Sequence, residues 1–121
     1  MRQAIDRWIE ENGDTITGFL QSLLRIPSVT GDEAAVQRFI AGELTRMGLA
    51  VDVFEPSLEE LKTHPAFVEV SQVYENRPNV VGILKGAGGG RSLLFNGHVD
   101  VIPAGEPTSW KHGSWSGDLA D

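Results

Sequence analysis

The chain contains no cysteine, which excludes disulfide cross-links and metal sites built on thiolates. It also has no basic tract and carries 17 acidic against 10 basic residues, so binding to nucleic acid or to an anionic membrane surface is disfavoured. No apolar run is long enough to cross a bilayer, and the charged N-terminus does not suit a signal peptide. We therefore expect a cytoplasmic protein in which any metal is bound by imidazole and carboxylate groups.

What remains is a composition typical of a globular domain, with 121 residues of which 40% are hydrophobic. Apolar residues recur at helical spacing over about the first two dozen positions, which predicts one long helix or two short ones broken near Gly13 and ended by Pro27. A second helical pattern covers residues 36–47. Thr30 and Glu33 precede it at the spacing of a capping box.

Three short apolar segments predict β-strands, at residues 50–54, 79–84 and 92–95. The last two are joined by the glycine-rich segment 85–91, which is too short for a parallel crossover and therefore predicts an antiparallel hairpin. The polar segment 55–65 predicts an irregular or helical excursion. Together these elements predict an α/β fold with helices packed on a mixed sheet.

His98 and Asp100 are the candidate functional residues, because they lie two positions apart directly after the apolar segment 92–95. Residues two apart in an extended chain point to the same face, and α/β sheets usually bind ligands at the carboxyl ends of strands. An imidazole can bind a divalent metal through one nitrogen while a carboxylate orients it through the other. The alternative is a buried histidine that merely hydrogen-bonds to a neighbouring carboxylate.

Other chemistry-bearing residues give weaker signals. His64 and His112 lack an acidic residue at a useful spacing, and we expect both on the surface. Trp110 and Trp115 lie in a loop-like segment, where tryptophans more often anchor the loop than line a pocket. The glycine-rich segment 85–91 precedes a predicted strand and not a helix, which disfavours phosphate binding.

Three segments in this order and spacing resemble the beginning of a known protein family. They are LLRIPSVTGDE at residues 23–33, RPNVVG at 77–82 and NGHVDVIP at 96–103. The combination resembles the zinc aminoacylase/carboxypeptidase family, which includes acetylornithine deacetylase and succinyl-diaminopimelate desuccinylase. The likeness extends over essentially the whole chain, up to Asp121.

The resemblance implies a role for each candidate residue. His98 would bind one of two zinc ions, for which cobalt can substitute, and Asp100 would orient and polarise His98 as part of the catalytic machinery. The family's bridging Asp, its Glu pair with the general base, its further acidic ligand and its late His have no matching positions here. We therefore expect residues 1–121 to be the N-terminal fragment of a metallohydrolase catalytic domain and to be inactive in isolation.

The activity that the resemblance implies for the complete enzyme is amide hydrolysis. Its substrate would be a small-molecule N-acyl amino acid, deacylated in the manner of a deacetylase or desuccinylase, or else a peptide. The resemblance leaves open the acyl group and whether the complete enzyme is a homodimer. The alternative is a non-catalytic α/β module with a binding or scaffold role. We also expect the isolated chain to oligomerise or aggregate, because a sheet that lacks later strands exposes backbone edges and apolar helix faces.

Overall fold

A computed structural model describes residues 2–68 and 73–120, so that Asp121 lies outside the described part. The described chain divides into two compact units, one of residues 2–26 with 104–120 and one of residues 27–103. Within the described residues, no helix combines the length and the apolar character needed to cross a membrane.

The first unit begins with two helices, α1 (Arg2–Glu11) and α2 (Gly13–Leu24), so the alternative of two short helices broken near Gly13 is confirmed. The break lies at Asn12, whose side-chain amide donates to the carbonyl oxygen of Trp8 over 2.8 Å. A side-chain bond of this kind takes up a carbonyl group near the helix end and so favours termination there.

The segment 104–120 of the same unit is a loop, as predicted, with one short 3₁₀ turn at Pro107–Ser109. It is fixed to α2 by the side chain of Gln21, which donates to the carbonyl oxygen of Gly117 over 2.7 Å. Gly117 has a φ of +62°, and a Cβ there would lie 3.0 Å from the carbonyl oxygen of Gln21. The close approach of this loop to α2 therefore requires glycine.

The second unit contains the α/β part of the chain. Its elements are α3 (Ala34–Arg46), β1 (Ala50–Phe54), α4 (Leu58–Leu61) and β2 (Asn79–Ile83). The two strands pair antiparallel, and α3 packs against both of them. The α/β class is confirmed, as are the second helix and the strands predicted at 50–54 and 79–84, of which the second ends one residue earlier, at Ile83.

The predicted strand at residues 92–95 and its hairpin with the preceding strand are wrong. β2 pairs with β1, and residues 92–95 form no strand. Leu93, Leu94 and Phe95 are between 78% and 88% exposed, so no buried face selects an extended register for them. An apolar segment becomes a strand only against a backbone partner, and none of the described residues supplies one.

The predicted capping box before α3 is also wrong. The helix begins at Ala34 with Glu33 at its N-cap, and no side chain caps it. The missing cap costs about 1 kcal/mol. Glu33 and Thr30 instead make bonds to residues that are 44 and 70 positions further along the chain, Arg77 and Asp100. Those bonds connect the start of α3 to the candidate site.

Candidate functional site

The segment that precedes α3 runs parallel to the segment that contains the candidate residues. Val29 and Val101 form an isolated parallel bridge. The amide of Thr30 donates to the carbonyl oxygen of Val101, and the amide of Val101 donates to that of Ser28, each over 3.0 Å. This register places Thr30 beside the position that precedes Val101, which is Asp100.

His98 and Asp100 contact each other directly. The Nδ1 atom of His98 lies 3.1 Å from Oδ1 of Asp100 and 3.0 Å from its carbonyl oxygen. Both oxygens are acceptors, so Nδ1 carries the hydrogen and the lone pair of the neutral ring is on Nε2. Within the described residues Nε2 has no hydrogen-bond partner, and the side chain is 83% exposed. A buried histidine, the alternative interpretation, is therefore not what the structure shows.

The carboxylate of Asp100 is bound at both of its oxygens. While Oδ1 faces His98, Oδ2 accepts a hydrogen bond of 2.8 Å from the hydroxyl of Thr30. The bond from Thr30, and after it the contact with His98, lower the pKa of Asp100 below its usual value. The carboxylate is therefore ionised at neutral pH and holds the hydrogen of His98 on Nδ1.

A bidentate ion pair between Arg77 and Glu33 lies beside these residues. Nε and Nη2 of Arg77 donate to the two carboxylate oxygens of Glu33 over 2.9 and 2.8 Å. The Glu33 side chain is only 7% exposed and that of Arg77 19%. Hydrogen bonding to Arg77 lowers the pKa of Glu33, and the same hydrogen bonding, with smaller contributions from the negative charges of Glu33 and Asp100, raises the pKa of Arg77. The guanidinium also lies 5.9 Å from the centre of the Tyr74 ring.

These groups surround one cavity of about 180 Å³, smaller than the roughly 300–1,000 Å³ of most small-molecule pockets. Its charged and aromatic lining is contributed by Glu33, Tyr74, Arg77, His98 and Asp100. All three of the segments that resemble the zinc aminoacylase/carboxypeptidase family therefore meet at this cavity.

The cavity offers one imidazole to a metal ion. A zinc site uses three or four protein ligands, whereas the described residues contain no group of three or more His, Asp or Glu side chains arranged to share a metal. His98 has the free nitrogen and the carboxylate partner typical of a zinc ligand. The residues present thus fit one ligand of a metal site and do not complete it.

Sequence reasoning placed His98 and Asp100 together and overlooked the ion pair between Glu33 and Arg77. Opposite charges 44 positions apart give no local signal, although both residues lie in segments that carry the family resemblance. The expectation that His64 and His112 are exposed is confirmed. The expectation that His112 has no acidic companion is wrong, because its Nδ1 lies 3.8 Å from Oδ2 of Asp118.

Comparison with known proteins gives a consistent set of relatives, although no protein-family model matches the chain. A succinyl-diaminopimelate desuccinylase of Methylorubrum extorquens is 36% identical over 101 residues, which are 84% of this chain and 22% of the relative. The enzymes of the same name from Methylocella silvestris and Rhodopseudomonas palustris are 33% and 30% identical over 87% and 88% of the chain. The matched region is 23% of the length of the first of these two relatives and 24% of the length of the second. The chain thus spans about a fifth of the length of the curated relatives that it matches.

Proposed function

The chain belongs to the family of the succinyl-diaminopimelate desuccinylases, and we propose that it is the part of a zinc-dependent amidohydrolase that supplies one oriented metal-binding imidazole. In this proposal His98 binds zinc through Nε2, and Asp100 is the carboxylate that orients the ring. The observation that carries it is the bond between Nδ1 of His98 and Oδ1 of Asp100, which leaves Nε2 available. Carboxylate–histidine–metal arrangements of this kind fix the tautomer and raise the basicity of the ligand.

The reaction that we propose for the complete enzyme is removal of an acyl group from an N-acyl amino acid. The relatives are named for the desuccinylation of succinyl-diaminopimelate, so a succinyl group is the first acyl group to test. When bound, zinc lowers the pKa of a coordinated water and polarises the amide carbonyl. The residues of this chain hold the ring of His98 in place and keep its hydrogen on Nδ1, which donates it to the carboxylate of Asp100.

The ligand count limits what the 121 residues can do alone. Because they offer one imidazole where zinc uses three or more protein ligands, we expect weak metal binding and no hydrolysis by the isolated chain. The same ligand count favours the alternative of a non-catalytic module. The two proposals differ in whether His98 responds selectively to metal.

A metal titration followed by NMR of the three histidine rings tests the proposal. We expect added Zn²⁺ to shift or broaden the His98 signals at lower concentration than those of His64 and His112. Co²⁺, which is paramagnetic, should broaden the same signals. His98→Ala should remove this first response, and His112→Ala, which deletes another exposed imidazole, should leave it unchanged.

An equal response of all three histidines would contradict the proposal. It would show that His98 binds metal no better than an ordinary surface imidazole, and it would favour the non-catalytic module.

A further inference from the structure

We propose that Thr30 is a positioning residue for His98, acting through the carboxylate of Asp100. The inference rests on the proposed role of His98 as a metal ligand, and it concerns a hydroxyl whose hydrogen bonds within the described residues go to Asp100 and Val101 and not to His98. Its basis is a continuous series of bonds. The hydroxyl of Thr30 donates to Oδ2 of Asp100 over 2.8 Å, and Oδ1 of the same carboxylate faces Nδ1 of His98 at 3.1 Å.

Two donors on opposite oxygens fix the rotation of the carboxylate. The terminal torsion of an aspartate is broad, so a carboxylate bound at one oxygen only can turn about its axis at little cost. A second donor on Oδ2 removes this freedom, and the bond from Thr30 supplies it. Oδ1 is therefore held 3.1 Å from Nδ1 of His98 before any metal binds, as a second acceptor beside the carbonyl oxygen of Asp100 at 3.0 Å.

The hydroxyl of Thr30 can be removed without removing the main-chain bonds that residue 30 makes. The parallel bridge is formed by main-chain atoms, the amide of Thr30 and the carbonyl of Val101, which any side chain at position 30 retains. The hydroxyl itself reaches Asp100, with a longer contact of 3.4 Å to the carbonyl oxygen of Val101. It caps no helix, because α3 has no side-chain cap.

Ser28 provides the contrast on the same strand-like segment. Its hydroxyl donates over 2.8 Å to the carbonyl oxygen of Val99, a main-chain group, and the residue is 6% exposed. Two hydroxyls at positions 28 and 30 thus have different functions. The bond from Ser28 secures the backbone, whereas the bond from Thr30 orients a side chain of the candidate site.

The experiment measures the tautomer of His98 in the metal-free chain by long-range ¹H–¹⁵N NMR. It is carried out at about pH 8.5, about two units above the ordinary imidazole pKa, because the tautomer ratio is defined for a neutral ring. In the parent chain we expect His98 to carry its hydrogen mainly on Nδ1. Thr30→Val, which removes the hydroxyl and keeps the shape, should lower the ratio of Nδ1–H to Nε2–H about three- to tenfold, the range expected for one lost hydrogen bond.

Four further variants serve as controls for this result. Thr30→Ser keeps the hydroxyl and should restore the parent ratio, while Asp100→Ala gives the ratio in the absence of the carboxylate. Ser28→Ala removes the neighbouring hydroxyl and should destabilise the fold without changing the ratio. Thr30→Ala repeats the deletion with a smaller side chain, should valine at position 30 prevent folding.

A parent-like ratio in Thr30→Val, or in Thr30→Ala where that variant is the folded one, would overturn the proposal. An equal change in Ser28→Ala would do so as well, because it would assign the effect to the backbone. Zn²⁺ titration of the parent chain separates this proposal from the proposed function. If the ratio depends on the Thr30 hydroxyl but His98 does not respond to zinc, the positioning role stands and the metal role fails.

Discussion

Replacement of Glu33 by Gln is expected to cost more stability than a single side-chain change on the surface. The glutamine keeps the size of the side chain but leaves the guanidinium of Arg77, which is only 19% exposed, facing a neutral amide. Removing one partner of a fully buried pair costs about 3–5 kcal/mol, and exposed pairs contribute about 0–1 kcal/mol. With the Glu33 side chain 7% exposed, we expect a loss of about 2–3 kcal/mol in the free energy of unfolding, between these limits.

Urea denaturation followed by circular dichroism measures this loss. Since 1 kcal/mol corresponds to about 4–8 °C in Tm for a unit of this size, a thermal melt should show a decrease of about 10–20 °C. Glu43→Gln is the matched control. Glu43 also pairs with an arginine, Arg46, over 2.6 Å, but the Arg46 side chain is 71% exposed and that of Glu43 is 23% exposed, so water reaches the charges and the substitution should lower the Tm much less than Glu33→Gln does. Equal effects of the two substitutions would refute the reasoning that burial makes the Glu33 pair strong.

The same pair predicts a dependence of stability on pH. Hydrogen bonding to Arg77 lowers the pKa of Glu33 in the folded state, so the contribution is fully present above the unfolded pKa of about 4.3. It is lost as the pH falls through the lower, folded-state pKa. The difference in unfolding free energy between the parent chain and Glu33→Gln should therefore be constant near neutral pH and shrink below about pH 4. A difference that does not change down to about pH 2 would contradict this assignment.

Three further predictions concern contacts within each of the two units and the exposed apolar segment. Gly117→Ala should lower the unfolding free energy by about 1–2 kcal/mol, because it introduces a Cβ 3.0 Å from the carbonyl oxygen of Gln21 at a positive φ. Gly113→Ala is the control, because the nearest atom to a Cβ there is 3.9 Å away. Thermal melts of the two variants that coincide would contradict the close approach at Gly117. Ser28→Ala should cost about 1 kcal/mol in urea denaturation through loss of its bond to the carbonyl of Val99, and an unchanged midpoint would show that the bond contributes nothing. The isolated chain should oligomerise in sizing chromatography through exposed residues such as Leu94 and Phe95, and Phe95→Lys should shift it toward the monomer; a parent chain that elutes as a monomer would count against this.

The helices and the sheet pair were predictable to different degrees. Residues 36–47 carry a helical period and end at Gly48, so local signals define α3 to within a few residues. Strand pairing depends on residues far apart, and a short glycine-rich link suggested the wrong partner for β2. The apolar run at 92–95 satisfies the composition of a strand, but a strand forms only with a backbone partner, which composition does not reveal.

The candidate site shows the same division between local and distant information. The spacing of His98 and Asp100 is local, and their contact follows from it. The hydrogen-bond partners of Thr30 and Glu33 were predicted wrongly because the capping-box pattern considers only neighbouring residues, whereas their actual partners are 70 and 44 residues away. A polar side chain near the start of a helix can hydrogen-bond either to the helix backbone or to other side chains. Here the bonds that form are the charge-assisted ones, which are the stronger of the two kinds.

This preference explains why the start of α3 lacks a cap and why the site is preorganised. A neutral cap would contribute about 1 kcal/mol, whereas hydrogen bonds to charged groups contribute about 1.5–3 kcal/mol each when shielded from water. Glu33, whose side chain is 7% exposed, therefore forms its bidentate pair, whereas the bond from Thr30 to the ionised carboxylate of Asp100 is exposed to water and is stabilised less by that charge. Both choices place the charges around His98 in a defined arrangement using residues of the 27–103 unit. The orientation of His98 is consequently a property of that unit's own fold, and a metal that binds there meets a ring already held by Asp100.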